Sequence, residues 1–246
     1  MNGGPLLSFV VPLQTTNGLA TARSWSSELL GDASAAAFFL APSRFVGAQR
    51  NDDSLSLTLH DAGLTGVLFG PNPPLEAQWS RCLVSFSTFN DHVGNLVKYD
   101  EWDFYTCPST PLDGGSGVEV LDDDDAITQL LRAHAPDSAV WPGDDEIVHW
   151  FARRDDADRL VSVAALVRWE SGYHVVSSVA TVSDARGRGH ALGVVRGVLH
   201  AAHDRGVPWV GLGVAHDNTV AQAVYVRAGF SLRSAFTNYG PPTPTH

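Results

Sequence analysis

The segment Thr181-Val182-Ser183-Asp184-Ala185-Arg186-Gly187-Arg188-Gly189-His190-Ala191 constrains this chain more than any other. A β-rich run leads into it, a tight turn carries two glycines and two arginines, and a helical pattern begins at once. Such a turn aims several backbone N–H groups, and the positive end of a helix dipole of about half a charge, at one spot. Gly187 and Gly189 remove side chains that would keep an anion from the backbone, and Arg186 and Arg188 add cationic donors. Two readings follow: a surface turn with incidental arginines, or a polyphosphate cradle. The Lys-Ser/Thr ending of a P-loop and the first glycine of a Rossmann fingerprint are both missing, so a cradle here is of another type.

The flanking pattern alternates helices and strands, as in an α/β or α+β domain. The acidic run Asp122 to Asp125 before Ile127, Leu130 and Leu131 predicts a helix start. Leu192, Val195, Leu199 and Ala202 repeat at helical spacing and Gly206 stops that helix. Residues 160–169 and 173–182 read as strands joined by a hairpin at Glu170-Ser171-Gly172, with further strands at 207–214 and within 230–238. Gly211 and Gly213 share one strand face, which predicts either close approach by a ligand or a bulge with tight packing.

Charge and cysteine usage narrow the classes. The 246 residues hold 16 Lys and Arg against 27 Asp and Glu, a net charge of −11, which opposes nucleic-acid binding and mildly favours cationic partners. Cys82 and Cys107 are too few for a disulfide scaffold or a cysteine-built metal site, and read as reduced residues of a cytoplasmic protein. The proline-interrupted run at 5–13 is read as structure rather than a signal, and no stretch approaches the ~20 apolar residues of a membrane span. His200 and His203, three apart, read as a solvated helix face, and no metal is expected.

Residues 108–117 read as a linker and 240–246 as a frayed tail, dividing the chain into regions 1–107 and 118–239. In the first region a helix is expected around 21–40 and a hairpin at 55–60 and 64–69. No phosphate fingerprint occurs there, so this α/β region is expected to be either a degenerate copy of the second or an unrelated element walling the acceptor site.

Asn218-Thr219-Val220-Ala221-Gln222-Ala223-Val224-Tyr225-Val226-Arg227-Ala228-Gly229-Phe230 follows one helix and one strand after the glycine-arginine loop. Asn218 suits a helix cap and Gly229 a helix end. This stretch resembles the Asn-x-x-Ala-x-x-x-Tyr-x-x-x-Gly-Phe segment of the GCN5-related N-acetyltransferases (GNAT superfamily). Arg186-Gly187-Arg188-Gly189-His190-Ala191 likewise resembles that family's Arg/Gln-x-x-Gly-x-Gly/Ala motif, which grips the pyrophosphate of coenzyme A. His190 departs from the usual apolar residue, and Ala191 stands where glycine is commoner. The likeness covers roughly 118–239.

The resemblance implies a GNAT fold, a mixed central sheet flanked by helices, and an acyltransferase that moves an acetyl group from acetyl-CoA (or another acyl-CoA) to the amine of a small molecule or peptide by direct attack. It implies that Val179, Ala180 and Thr181 meet the acyl and pantetheine groups through their backbone. By the same resemblance Arg186, Gly187, Arg188, Gly189, His190, Ala191, Leu192 and Asn218 bind the donor, and Tyr225 acts as general acid. A phenol with an ordinary pKa near 10 holds its proton at neutral pH, as that role requires. Glu146, His149, Glu170, His174 and Asp184 are the candidate bases, each also readable as a surface or turn residue. A non-catalytic acyl-CoA-binding or regulatory module is the alternative. No nucleic-acid or membrane partner is expected, and either a monomer or a homodimer is allowed.

Overall fold

The structure, a computed structural model, describes residues 9–11, 16–31, 35–85, 92–109 and 117–242. The chain divides into two compact units: Met1–Phe104 with Ala215–Asp217 and Leu232–His246, and Tyr105–Val214 with Asn218–Ser231. Most of the linker expected at 108–117 and the end of the tail at 240–246 lie outside the described residues.

The first unit holds β1 (Phe9–Val11), α1 (Thr16–Leu30), α2 (Ala35–Phe39), β2 (Phe45–Arg50), β3 (Leu55–His60), β4 (Leu64–Phe69), β5 (Arg81–Ser85) and β6 (His92–Val93). Strand β7 (Leu96–Pro108) carries the chain into the second unit between Phe104 and Tyr105. The hairpin expected around Asp61-Ala62-Gly63 is present, with positive φ of 48° at Ala62 and 132° at Gly63. The helix expected around 21–40 is two helices; α1 ends at Leu30 and Gly31, at φ 84°, follows it in the left-handed conformation that stops a helix. A web of edge-to-face and stacked rings (Phe38, Phe39, Phe69, Trp102, Phe104 and Phe236) fills this unit's core. Each such pair adds about 0.5–1.5 kcal/mol beyond its buried area.

The second unit continues with β8 (Val118–Val120), α3 (Asp124–His134), β9 (Ile147–Arg154), β10 (Leu160–Arg168), β11 (His174–Thr181), a short 3-10 turn Ser183–Ala185, α4 (His190–Asp204), β12 (Trp209–Ala215) and α5 (Thr219–Ala228). Strand β13 (Ser231–Gly240) then returns to the first unit. Helix α3 starts as its acidic run predicts: the Asp123 carboxylate accepts from Ala126 N at 3.0 Å, and Asp124 and Asp125 occupy the first turn. Helix α4 packs across β9, β10 and β11 through Val194, Val195, Val198, Leu199 and Ala202; of the predicted stripe Val195, Leu199 and Ala202 are buried and Leu192 is half-buried. Burying one such valine or leucine fully contributes on the order of 1.5–3 kcal/mol. Two glycines let α4 come close to its neighbours. A Cβ at Gly197 would lie 2.5 Å from Val118 Cγ1, and one at Gly193 would meet the Arg153 guanidinium.

Both units share one strand logic. In the first unit the strands lie in the order β1-β2-β3-β4-β5, followed by β13 and β7; in the second the order is β8-β9-β10-β11-β12. In each set the first four strands are antiparallel neighbours and the last pair is parallel. The connection to that last strand is where they part. Residues 70–80 link β4 to β5 without a helix, whereas the glycine-arginine loop and the whole of α4 link β11 to β12.

Candidate active site

The site grows from the way β11 and β12 separate. They pair in parallel only at His174–Val210 and Val175–Gly211. Beyond Val175 the β12-facing edge of β11 runs to Thr181 without a register partner on β12. Gly211 lies in the paired part and is buried, while Gly213 lies past it and is exposed. On its other edge β11 follows β10 except at a bulge. Val163 faces Ala180 and Ala165 faces Ser177, so Ala164 alone stands opposite Ser178 and Val179. Val179 therefore occupies the bulge, and Ala180 and Thr181 follow it, re-anchored to β10 by Ser162. The Ser162 hydroxyl donates to Ala180 O at 2.9 Å and lies 2.9 Å from Thr181 Oγ1.

The loop after β11 has the form the sequence predicts. Gly187 and Gly189 adopt φ of 75° and 83°, and a Cβ at either would meet open space. Gly189 caps α4 with no side-chain hydrogen bond, which leaves the first N–H groups of the helix, at His190, Ala191 and Leu192, without a capping acceptor. His190 Nδ1 is buried without a hydrogen-bond partner among the described residues. Bare backbone donors, space before two left-handed glycines and an orphaned imidazole nitrogen together fit an anionic polyphosphate group.

The two arginines divide their roles. Arg186 is engaged with the backbone: its Nε donates to Thr181 O at 3.1 Å and an Nη to His134 O at 3.2 Å, tying the end of β11 and the end of α3 to the loop. Its guanidinium thus sets the loop's shape. His134 adds a 3.1 Å contact to Ser183 Oγ. Arg188 is exposed; the Asp184 carboxyl is lowered chiefly by its bond to Arg159, and charge from Arg188 adds least.

Helix α5 carries the second motif. The Asn218 side chain accepts from Ala221 N at 3.1 Å, so the cap is real, and Gly229 ends the helix at φ 105° with its N–H returned to Tyr225 O and Val226 O. Helices α4 and α5 pack together, and Arg196 donates to Arg227 O at 3.2 Å. Tyr225 is 8% exposed and shares one apolar cluster with Val176 of β11, Leu212 of β12 and Val194 of α4, its ring 6.2 Å edge-on from Phe230. Burial pushes its phenol up to about 12, so it keeps its proton throughout the ordinary pH range.

The candidate bases fare unevenly. Asp184 is paired with Arg159 at 2.9 Å, a contact that holds its carboxyl below the usual range. His149 and His174 are depressed by burial and then by positive charge, with Arg205 acting on both and Arg168 also on His174. Arg205 is the C-cap of α4, so these imidazoles lie toward the end of the helix away from the loop. Glu146 and Glu170 stay on exposed turns. His200 turns to Asp204 at 3.5 Å and His203 to Ser109 O at 3.0 Å, and among the described residues no group of His, Cys, Asp or Glu is placed to hold a metal. Ser178 and Ser162 escaped the sequence reading, and no local signal marks either of them.

Residues 118–230 match the family model described as "Acetyltransferase (GNAT) family". Three solved structures share the fold. A GCN5-related N-acetyltransferase from Sphaerobacter thermophilus is 15% identical, with 94% of each chain covered and a TM-score of 0.57. Another from Kribbella flavida is 16% identical, covers 92% of this chain and 96% of that one, and has a TM-score of 0.56. A GNAT-family acetyltransferase from Colwellia psychrerythraea is 12% identical, covers 95% and 100%, and has a TM-score of 0.53. No curated protein matches the chain. No helix among the described residues is long and apolar enough to cross a membrane.

Proposed function

Because residues 118–230 match the GNAT acetyltransferase family, we propose that the chain is an N-acyltransferase taking an acetyl group from acetyl-CoA to the amine of a small molecule or peptide. The observation that carries this reading is the separation of β11 from β12 after two register pairs, directly upstream of an uncapped, glycine-opened helix start. A thioester arm needs a strand edge to lie against, and its pyrophosphate needs anion-binding N–H groups at the end of that edge. Both stand in sequence here, on Val179, Ala180 and Thr181 and then on Gly187 to Leu192.

In the reaction the acceptor nitrogen attacks the thioester carbonyl carbon, the carbon–sulfur bond breaks, and the nitrogen's proton leaves to solvent or a base. Backbone N–H groups of the bulge polarise the carbonyl oxygen as charge gathers there. Tyr225 gives its proton to the departing sulfur and is reprotonated from water. A phenol raised to about 12 is a weak acid, but it meets a thiolate leaving from a dry pocket and stays protonated until then.

Calorimetric titration of acetyl-CoA tests the donor site, with Arg188→Ala combined with Gly189→Glu as the control. Native binding that vanishes in the folded double variant supports the cradle; equal binding by both sinks it. Tyr225→Phe then separates catalysis from binding. Turnover should fall about 10²–10⁴-fold with acetyl-CoA affinity within twofold. Tight CoA binding with no turnover on any amine would establish the non-catalytic alternative instead.

A further inference from the structure

Ser178 is a β-strand serine held at φ 49°, a left-handed conformation that costs an L-residue about 1–2 kcal/mol. Something must hold it there. Its hydroxyl accepts from Val140 N at 3.1 Å and donates to Val140 O at 2.9 Å, so one side chain satisfies both backbone groups of a single residue. Val140 is 3% exposed and belongs to the connection between α3 and β9. That connection is itself well tied. Trp141 Nε1 donates to Ser138 O at 3.1 Å, Trp141 N donates to Asp144 Oδ2 at 2.8 Å, and Ile147 N donates to Asp144 O at 3.2 Å. The serine therefore stitches a braced loop to the one place on β11 where the backbone has neither a β10 nor a β12 register partner.

We propose that Ser178 is a positioning residue for acyl transfer: its hydroxyl clamp on Val140 fixes the β11 bulge so that the bulge N–H groups meet the donor's acyl carbonyl. The proposal rests on the donor reading above for what those groups serve. A bulge left to relax would still separate the strands, but its amides would sample several directions. A short polar side chain that bonds a neighbouring backbone is what makes the left-handed state affordable to a residue other than glycine. The clamp also makes the orientation of those amides depend on the loop at 135–146, through which contact at Trp141 reaches the reacting carbonyl.

Two variants isolate the clamp. Ser178→Gly accepts the left-handed backbone without strain and removes only the hydroxyl; Ser178→Ala removes the hydroxyl and keeps the strain. The readouts are the affinities for acetyl-CoA and for free CoA, and hydrogen exchange at the Val140 amide. In the native chain acetyl-CoA should bind more tightly than CoA. In both variants that preference should collapse, with acetyl-CoA affinity about fivefold lower and CoA affinity unchanged. Protection at Val140 should fall about tenfold. If Ser178→Gly keeps the preference for acetyl-CoA, the clamp is not what positions the bulge. A native chain that binds both ligands equally, or a variant with native protection at Val140, overturns it as well. A native chain that binds neither ligand sinks the donor reading and this proposal together, whereas the other adverse results sink the proposal alone.

Discussion

The parallel pairs β4–β5 and β11–β12 occupy the same place in two similar strand orders, and they behave oppositely. β4 and β5 are zipped along four positions, from Thr65–Arg81 to Leu68–Val84. β11 and β12 part after two. In the first unit the connection carries no helix, and Trp79 lies on the sheet instead: its indole donates to Thr58 Oγ1 at 3.1 Å, and a Cβ on Gly66 would be 2.6 Å from its ring. In the second unit the connection carries the cradle and α4. The lesson is that a binding edge in this architecture depends on the connection as much as on the strands. A helix begun by an open loop leaves a strand edge exposed, whereas a short proline-rich link with an aromatic lid closes it.

On the donor reading proposed above, the second unit binds and the first supports, and variants in each should separate the two. The largest effect is expected from Trp79→Ala, which empties a site that is 6% exposed and leaves Thr58 without its partner. Thermal unfolding should show a loss of about 3–5 kcal/mol. Acetyl-CoA affinity of the folded protein should stay within twofold; a large loss of affinity would break the division of labour. Gly197→Ala, which forces a methyl against Val118, should cost about 1–3 kcal/mol in the same melt. Asn218→Ala should cost about 1 kcal/mol through the lost cap. Asn218→Ser restores a capping oxygen without adding charge, so any donor affinity still missing in that variant measures a direct contact.

Two pH effects are smaller. Burial holds Cys82, in the first unit, at about 12 and Cys107, in the second, at about 11, against an ordinary thiol value of 9.0. Their folded pKa values are raised, so their contribution to stability is level below pH 9 and declines as pH rises above it through the folded values. Ellman's reagent at pH 8 should label neither cysteine until the chain unfolds, and prompt labelling of one would show that its unit opens first. His216 Nδ1 donates to Asp103 Oδ1 at 3.0 Å, and that bond, with charge from Asp103, Glu101 and Asp217, raises its pKa. The stabilisation is complete below the ordinary value of 6.5 and is lost as pH rises through the raised one. Asp103→Asn should remove this dependence from melts between pH 5 and 8.

Much of the second unit was written in its sequence because local chemistry governs it. Gly187, Gly189 and Gly229 sit where positive φ is needed, Asp123 and Asn218 cap helices, and the stripe on α4 follows the helical period. The form of the loop before α4 was legible for the same reason: it is set by backbone conformation, announced by glycine. The separation of β11 from β12 has no local signal, because it is set by pairings far apart in sequence. The bulge escaped notice because Ser178 acts through Val140, 38 positions away. The first unit was least legible. Its β7 crosses from Leu96 to Pro108 through Lys98, Asp100, Glu101 and Asp103, charges that mask a strand. Its aromatic core gathers Phe38, Trp102 and Phe236 from three distant stretches. Nor does any local signal say that the segment after Ser231 belongs with the first hundred residues.

That last pairing has a consequence for how the protein is made. β13 runs antiparallel to β5 from Phe236–Ser85 to Tyr239–Cys82, and it stands between β5 and β7 in the first unit's sheet. A ribosome adds ~5–20 residues each second. After Phe104 emerges, the first unit's sheet waits roughly six to thirty seconds for the strand that completes it. The part of the molecule translated first is the part that finishes last, and during that delay β5 presents an unpaired edge on which a chaperone can act.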